Sequence, residues 1–382
     1  MKKTIYFDYN STTPLDENVR ESMMPFLGEI FGNPSSAHHI GRRARALVDD
    51  ARERVARVWL CKPSEVVFTS GGTESNNLAI FGVARHLRDK GRHLITSAIE
   101  HHSVINCFEY LEKHEDFNVT YLRPDSEGLV CPADLLAAIR PDTVLVSIMS
   151  ANNEMGAVQA VSEFGTICQS RGILFHTDAL QSFGKEPFSS IHQFNADLVS
   201  FCAHKLHGPK GAGALFIKSP LRPEPIILGG SHENERRGGT ENVPSIIATA
   251  LVVESFLNPP VFPAPNLADL THHLITFATS LDGVQFRGSR SHRLSNTVAL
   301  TINGSDSPTL LAGLDLEGIC ASSGSACSSG SLKPSHVMLA MGLEKGLASS
   351  LIRFSLGRDS KIEEVLRVEG VLPAVIKQAR HR

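Results

Sequence analysis

The chain lacks the charge imbalance that marks a nucleic-acid or anionic-membrane binder. Its 37 Lys and Arg stand against 40 Asp and Glu, a formal net charge of -3, and no run of five or more like charges occurs. Long apolar runs are also missing. None approaches the ~20 residues that a membrane-spanning helix needs, and the apolar stretch at residues 5–7 is cut by Asp8, too short for a signal peptide. The cysteines, at 61, 107, 131, 168, 202, 320 and 327, are odd in number, scattered and without a CxxC pair, which argues against a disulfide framework and against a zinc site. These absences predict a cytoplasmic protein with reduced thiols and no metal. What is present is ordinary globular composition, 42% hydrophobic and 20% charged over 382 residues, enough for one large and one smaller unit.

Between residues 65 and 217, short β-rich runs alternate with helical patterns. The runs fall at 66–69, 93–97, 119–122, 143–149, 173–177, 198–201 and 213–217. Such alternation predicts an α/β fold with a largely parallel sheet covered by helices on both faces. In such sheets ligands bind beyond the carboxyl ends of the strands. A helical stretch near 243–257 leads into Asn258-Pro259-Pro260-Val261-Phe262-Pro263-Ala264-Pro265, which cannot propagate a helix and reads as a linker. Residues 266–382 read as a smaller α+β unit.

Polar residues suited to chemistry recur at the predicted strand ends. Lys205, in Phe201-Cys202-Ala203-His204-Lys205-Leu206-His207-Gly208-Pro209-Lys210-Gly211, lies between an apolar run and a glycine-rich turn. A lysine there either is a solvated surface residue or loses solvation and forms an imine with an aldehyde cofactor such as pyridoxal phosphate. Ser70-Gly71-Gly72-Thr73-Glu74-Ser75-Asn76-Asn77 joins a strand to a helix, so backbone N–H groups and the Thr73 hydroxyl suit a phosphate dianion, or merely cap a turn. It is not a Walker loop, because no Gly-Lys-Ser/Thr follows. Asp178, in His176-Thr177-Asp178-Ala179-Leu180-Gln181-Ser182, can hold a pyridine nitrogen protonated or cap the next helix. His101, in Glu100-His101-His102-Ser103, can lie against a cofactor ring, and Asn152-Asn153-Glu154-Met155-Gly156 supplies amides at the same edge.

Two further features lie in the C-terminal part. The stretch 322–331, Ser-Ser-Gly-Ser-Ala-Cys-Ser-Ser-Gly-Ser, surrounds Cys327 with small residues, a composition suited to presenting a thiol on an accessible loop or to a plain linker. Arg353 stands in an apolar strand-like run, where an inward guanidinium needs a carboxylate partner, either a protein acid or a substrate.

Taken in order, Gly-Gly-Thr-Glu-Ser-Asn-Asn, Glu-His, Asn-Asn-Glu-Met-Gly, Asp-Ala-Leu-Gln-Ser, His-Lys-Leu-His-Gly-Pro-Lys-Gly, Arg-Gly-Gly-Thr-Glu-Asn, Ser-Ser-Gly-Ser-Ala-Cys and Ile-Arg-Phe-Ser-Leu-Gly-Arg closely resemble the cysteine desulfurases. The resemblance is to the NifS/IscS branch of the class V, fold-type I pyridoxal phosphate enzymes and runs from about Tyr6 to Arg358. It implies a seven-stranded, mostly parallel sheet in a large domain at 15–257, and a small domain of 1–14 and 266–382 carrying the cysteine loop at about 321–333.

By position, the resemblance implies that Lys205 bonds the cofactor, Asp178 pairs with the pyridinium, Gln181 reaches the phenolic oxygen and His101 stacks on the ring. Thr73 and His204 would bind the phosphate, with Thr240 reaching in from the second subunit of a homodimer. Asn153 and Arg353 would hold the substrate carboxylate, and Cys327 would be the nucleophile that takes sulfur from L-cysteine as a persulfide, leaving L-alanine. The sulfur would pass to an acceptor protein in iron–sulfur cluster assembly or thiolation. A selenocysteine lyase, another class V aminotransferase-like enzyme and a non-catalytic sulfur-relay subunit are the alternatives.

Three departures qualify the transfer. Cys202 stands where the family usually has Ser, a better donor to a phosphate oxygen. The proline-rich segment replaces a more helical one. The chain closes soon after Gly357, short of the tail by which some relatives dock an iron–sulfur scaffold protein, so that partner stays open.

Overall fold

The computed structural model describes residues 4–324 and 333–380. The chain opens on a short strand, β1 (Ile5–Tyr6), and then builds a seven-stranded sheet from β2 (Val66–Thr69), β3 (His93–Ser97), β4 (Asn118–Leu122), β5 (Thr143–Ser147), β6 (Leu174–Asp178), β7 (Leu198–Cys202) and β8 (Gly213–Ile217). The order across the sheet is β2-β8-β7-β6-β5-β3-β4. All neighbours pair in parallel except β8, which runs antiparallel to both β2 and β7.

Every residue of β2, β3, β5, β7 and β8 is buried, whereas the edge strand β4 has its Asn118 exposed. Uninterrupted burial is what a sheet covered on both faces requires, and it explains why these strands read as continuous apolar runs rather than alternating ones. The covering helices follow the helical period. In the helix His39–Trp59 the buried residues Ala44, Val48, Ala51, Val55 and Trp59 recur every three or four positions, and the helix ends on Leu60 in a left-handed conformation.

A second sheet, three-stranded and antiparallel, has the order β12-β10-β9, with β9 (Val284–Arg287), β10 (Thr297–Ile302) and β12 (Ile352–Ser355). Its core includes Leu274, Val298, Leu300, Ile352, Phe354, Val368 and Leu372, joining the sheet to the helices Ala264–Ser280 and Ile362–Arg380. β1 pairs in parallel with β11 (Ile319–Cys320), and Asp8 bridges to Ser355. The N-terminal segment therefore runs from the second sheet toward the first, where Thr13 N donates to His204 O at 3.0 Å. This path carries Asp8, Asn10, Ser11 and Thr12 to the carboxyl end of the large sheet.

Several strand boundaries differ from the expectations by a residue or two. β5 stops at Ser147 and β6 runs through Asp178, so the carboxylate belongs to the strand itself. The proline-rich segment, which reads as a linker, packs into the second core and ends in a helix start. Phe262 is fully buried in the second core, its N–H donates to Gly184 O at 2.9 Å, and a helix begins at Ala264 with Pro265 in its first turn. Proline is tolerated there because the first-turn N–H groups have no intrahelical acceptor.

Candidate active site

Lys205 follows β7 in a tight turn closed by Leu206 N and Gly208 N, both donating to Ala203 O at 2.9 Å. The side chain is half-buried, and Nζ donates to the backbone carbonyls of Asn10 and, at 3.2 Å, Ser11. It faces a cavity of about 200 Å³ whose lining includes Asn10, Thr73, His101, Asn153, Asp178, Gln181, His204 and Arg353. Strands β3, β5, β6 and β7 and the helix Gly72–Leu87 thus deliver their ends to one place, as the topology requires.

Asp178 lies at the floor of this cavity. Its Oδ2 accepts from Asn76 Nδ2 at 2.7 Å and its Oδ1 from Leu180 N at 3.0 Å. Burial pushes its carboxyl above the ordinary value, and those two donors with the charge of Lys205 oppose the shift. A buried carboxylate with few donors seeks a cationic N–H, which a pyridinium provides. Asn76 Nδ2 also donates to Ser103 Oγ at 2.9 Å, while its buried Oδ1 has no hydrogen-bond partner.

His101 precedes the helix His102–His114 and caps it, Nδ1 accepting from Ser103 N at 3.1 Å. A ring nitrogen that accepts from a backbone N–H carries no proton, so the neutral ring holds its proton on Nε2. Burial, with the nearby charge of Lys205, lowers its pKa to about 4, which keeps the ring neutral at physiological pH.

A second cavity of about 380 Å³ adjoins the first through shared Ser11, Gly72, Thr73 and His204, and adds Thr12, Ser70, Gly71, Glu74, Lys210 and Gly211. Here the helix Gly72–Leu87 begins without a side-chain cap, on Gly71 at φ 144°, a conformation that L side chains rarely adopt. A Cβ on Gly72 would come within 1.9 Å of the Leu180 Cδ2 methyl, so the missing side chain lets Leu180 lie against the helix start. His204 Nδ1 lies 3.2 Å from Thr12 Oγ1, and burial beside Lys205 lowers its pKa to about 4. An uncapped helix start ringed by hydroxyls suits an anion.

Arg353, on β12, is 1% exposed. Its Nη2 donates to Asp8 Oδ1 at 2.6 Å and Ser11 Oγ at 2.7 Å, its Nη1 donates to Asn153 O at 2.8 Å, and its Nε is buried without a partner. The protein acid paired with this guanidinium is Asp8. Thr240 is exposed and lines a third cavity of this chain, with Ser70, Gly211 and Arg237, which does not include Lys205. Cys202 is fully buried and lines neither of the two cavities at Lys205. Burial pushes its thiol up to about 12. Cys327 lies outside the described residues.

Sequence reasoning missed Asn10, Asn76 and Lys185. Asn76 had a signal, a polar residue on the buried face of a helix beside Leu78, Ala79 and Ile80. Asn10 and Lys185 had none, because only the tertiary path brings the N-terminal segment against the turn after β6. Among the described residues no group of three or more His, Cys, Asp or Glu gathers for a metal ion, and no helix is long and apolar enough to cross a membrane.

These residues fit pyridoxal phosphate: a primary amine, a buried carboxylate with one unpartnered neighbour atom, and an uncapped helix start with hydroxyls lie around adjoining cavities. The family model described as aminotransferase class-V matches residues 5–368, and the chain belongs to that family. It is 44% identical over 381 residues to cysteine desulfurase IscS of Dictyoglomus turgidum, covering 100% of this chain and 96% of that protein. It is 42% identical over 387 residues to cysteine desulfurase IscS of Methanosarcina thermophila, covering 99% and 93%. A solved structure titled as a NifS-like protein superposes with a TM-score of 0.91 at 36% identity, covering 98% of this chain and 100% of that one. Within its family the chain is a pyridoxal phosphate-dependent cysteine desulfurase.

Proposed function

We propose that this chain converts L-cysteine to L-alanine with pyridoxal phosphate held at Lys205, and that Cys327 takes up the sulfur as a persulfide. The observation that carries the reading is the convergence of Lys205, Asp178, His101, Gln181 and Arg353 on one cavity. Lys205 would hold the cofactor's aldehyde carbon, Asp178 its ring nitrogen, Gln181 its phenolic oxygen, and Thr73 and His204 its phosphate, with His101 against the ring. When bound, pyridoxal phosphate supplies an electron sink that acidifies the substrate α-hydrogen and weakens the C–S bond.

The side chains do the rest. Arg353 and Asn153 hold the substrate carboxylate, and Asp8 and Ser11 fix the guanidinium plane before substrate arrives. Lys205 Nζ, released by the incoming amine, takes the proton from the substrate α-carbon. His101, neutral with its proton on Nε2, is a donor and not a competing cation. The Cys327 thiolate attacks the substrate sulfur. An S–S bond forms, the C–S bond breaks, and the electron pair left on carbon is protonated to give alanine.

The persulfide then passes to an acceptor thiol, in iron–sulfur cluster assembly or thiolation, in the cytoplasm. The working unit in this reading is a homodimer in which the partner's Thr240 completes the phosphate site. The large unit is 15–257, and the small one is 1–14 with 266–382. The reading is tested by the visible absorption of purified protein and by alanine release from L-cysteine. A protein that shows no visible absorption even after added pyridoxal phosphate, or that releases no alanine, contradicts it.

A further inference from the structure

Lys185 is as deeply buried as Arg353 beside the site. It is 1% exposed, and Nζ donates to Gln181 Oε1 at 2.6 Å and Asn10 Oδ1 at 2.7 Å, with the Phe262 ring centroid 5.4 Å away. Nothing in the proposed reaction uses it. Burial, with the charges of Lys205 and Arg353, drives its pKa well below the ordinary lysine value. In either protonation state Nζ keeps at least two N–H groups, enough for both oxygens.

We propose that Lys185 is a positioning residue for the cofactor: by holding Gln181 Oε1 from behind, it turns Gln181 Nε2 toward the cavity as the donor that meets the phenolic oxygen. An amide offers a donor end and an acceptor end of nearly equal shape, and only its partners decide which end faces where. Here the oxygen end is fixed by Lys185, and Nε2 donates at 3.0 Å to Asn10 O, the same carbonyl that accepts from Lys205 Nζ. The second Lys185 bond fixes Asn10 in turn. Asn10 Oδ1 takes Lys185 and, at 3.1 Å, Asn296 Nδ2, leaving Asn10 Nδ2 to donate to Thr297 Oγ1 at 2.9 Å. One buried amine thus holds the oxygen ends of two amides beside Lys205, Gln181 and Asn10.

The inference rests on the reading of Gln181 given above, and the test separates the two. Apoprotein is titrated by calorimetry with pyridoxal phosphate and with its 3-deoxy analogue, which lacks the phenolic oxygen. Lys185→Met is expected to weaken pyridoxal phosphate about fivefold, the worth of one hydrogen bond, and the analogue by no more than about twofold. Gln181→Met is expected to show the same selectivity, and the double variant to be no worse than either single one, because both changes remove one interaction. Equal weakening of both ligands by Lys185→Met, or no weakening of either, overturns the proposal while selective loss in Gln181→Met leaves the Gln181 reading standing. If Gln181→Met is itself unselective, both fall together. Should Lys185→Met fail to fold, Lys185→Leu, which also withdraws the donor, carries the same comparison with the same deciding outcomes.

Discussion

Lys205 and Gln181 donate to the same atom, the backbone carbonyl oxygen of Asn10. Residue 10 comes from the N-terminal segment, which is tied to the second sheet through the β1–β11 pair and the Asp8–Ser355 bridge. The amine expected to bond the cofactor and the amide expected to reach its phenolic oxygen are therefore registered against one another by a third part of the chain. Two donors on one carbonyl satisfy both of its lone pairs, so the groups are held without a mismatch.

Removing the amine tests its role. Lys205→Ala is expected to bind pyridoxal phosphate without a covalent bond, since Asp178, Thr73 and His204 remain, and to release no alanine from cysteine. Borohydride reduction should attach the cofactor to the Lys205 peptide of the native protein and to no peptide of the variant. Alanine release by Lys205→Ala removes the residue from its assigned place.

Asn76 supports Asp178 with a 2.7 Å hydrogen bond inside the protein. Hydrogen bonds to charged groups contribute roughly 1.5–3 kcal/mol, so Asn76→Leu is expected to weaken pyridoxal phosphate by about tenfold or more. Calorimetric titration of apoprotein measures this, and a change under about twofold would show that Asp178 keeps its charge without Asn76.

Glu100, next to His101, is fully buried. Oε1 accepts from Ser97 Oγ at 2.6 Å and Met149 N at 2.8 Å, while Oε2 has no partner. Burial raises its pKa from 4.5 to about 8. Between those values the folded state binds a proton that the unfolded state has released, so Glu100 lowers stability as pH rises from about 4.5 to about 8. Glu100→Gln mimics the protonated acid. Its unfolding free energy should match the native protein's near pH 4.5, exceed it increasingly toward pH 8 and run parallel above. A difference that does not vary with pH contradicts the assignment.

Cys202 leads to a revised expectation. A serine there would be the better donor to a phosphate oxygen, but the Cys202 side chain is fully buried and lines neither of the two adjoining cavities. Cys202→Ser should leave the affinity for pyridoxal phosphate unchanged within about twofold. With its pKa pushed up to about 12, the native thiol should also resist alkylation. Tighter cofactor binding by the serine variant would contradict this and place residue 202 against the phosphate.

Much of this fold was legible because its strands are buried on both faces and flanked by glycine-rich turns. Those features fixed the seven runs from 66–69 to 213–217 to within a few residues, and with them Lys205, Asp178, His101 and Thr73 at the ligand edge. The antiparallel direction of β8 was not legible, since periodicity carries no direction. The packing of the proline-rich segment was not legible, since the pattern that makes it a linker does not show that Phe262 fills the second core from within it. The partners of the site residues were the least legible part. Asp8 on Arg353, Asn10 on Lys205 and Lys185 on Gln181 join residues that only the N-terminal path and the turn after β6 bring together.

The central claim is that sulfur leaves cysteine through Cys327. Holoprotein freed of bound sulfur is given one equivalent of L-cysteine, and its peptides are analysed by mass spectrometry alongside free alanine. The account predicts one added sulfur atom on the peptide bearing Cys327 and an equal amount of alanine, both lost in Cys327→Ser. Alanine formed in full by Cys327→Ser, or added sulfur found on another cysteine of the native protein and not on Cys327, would contradict it.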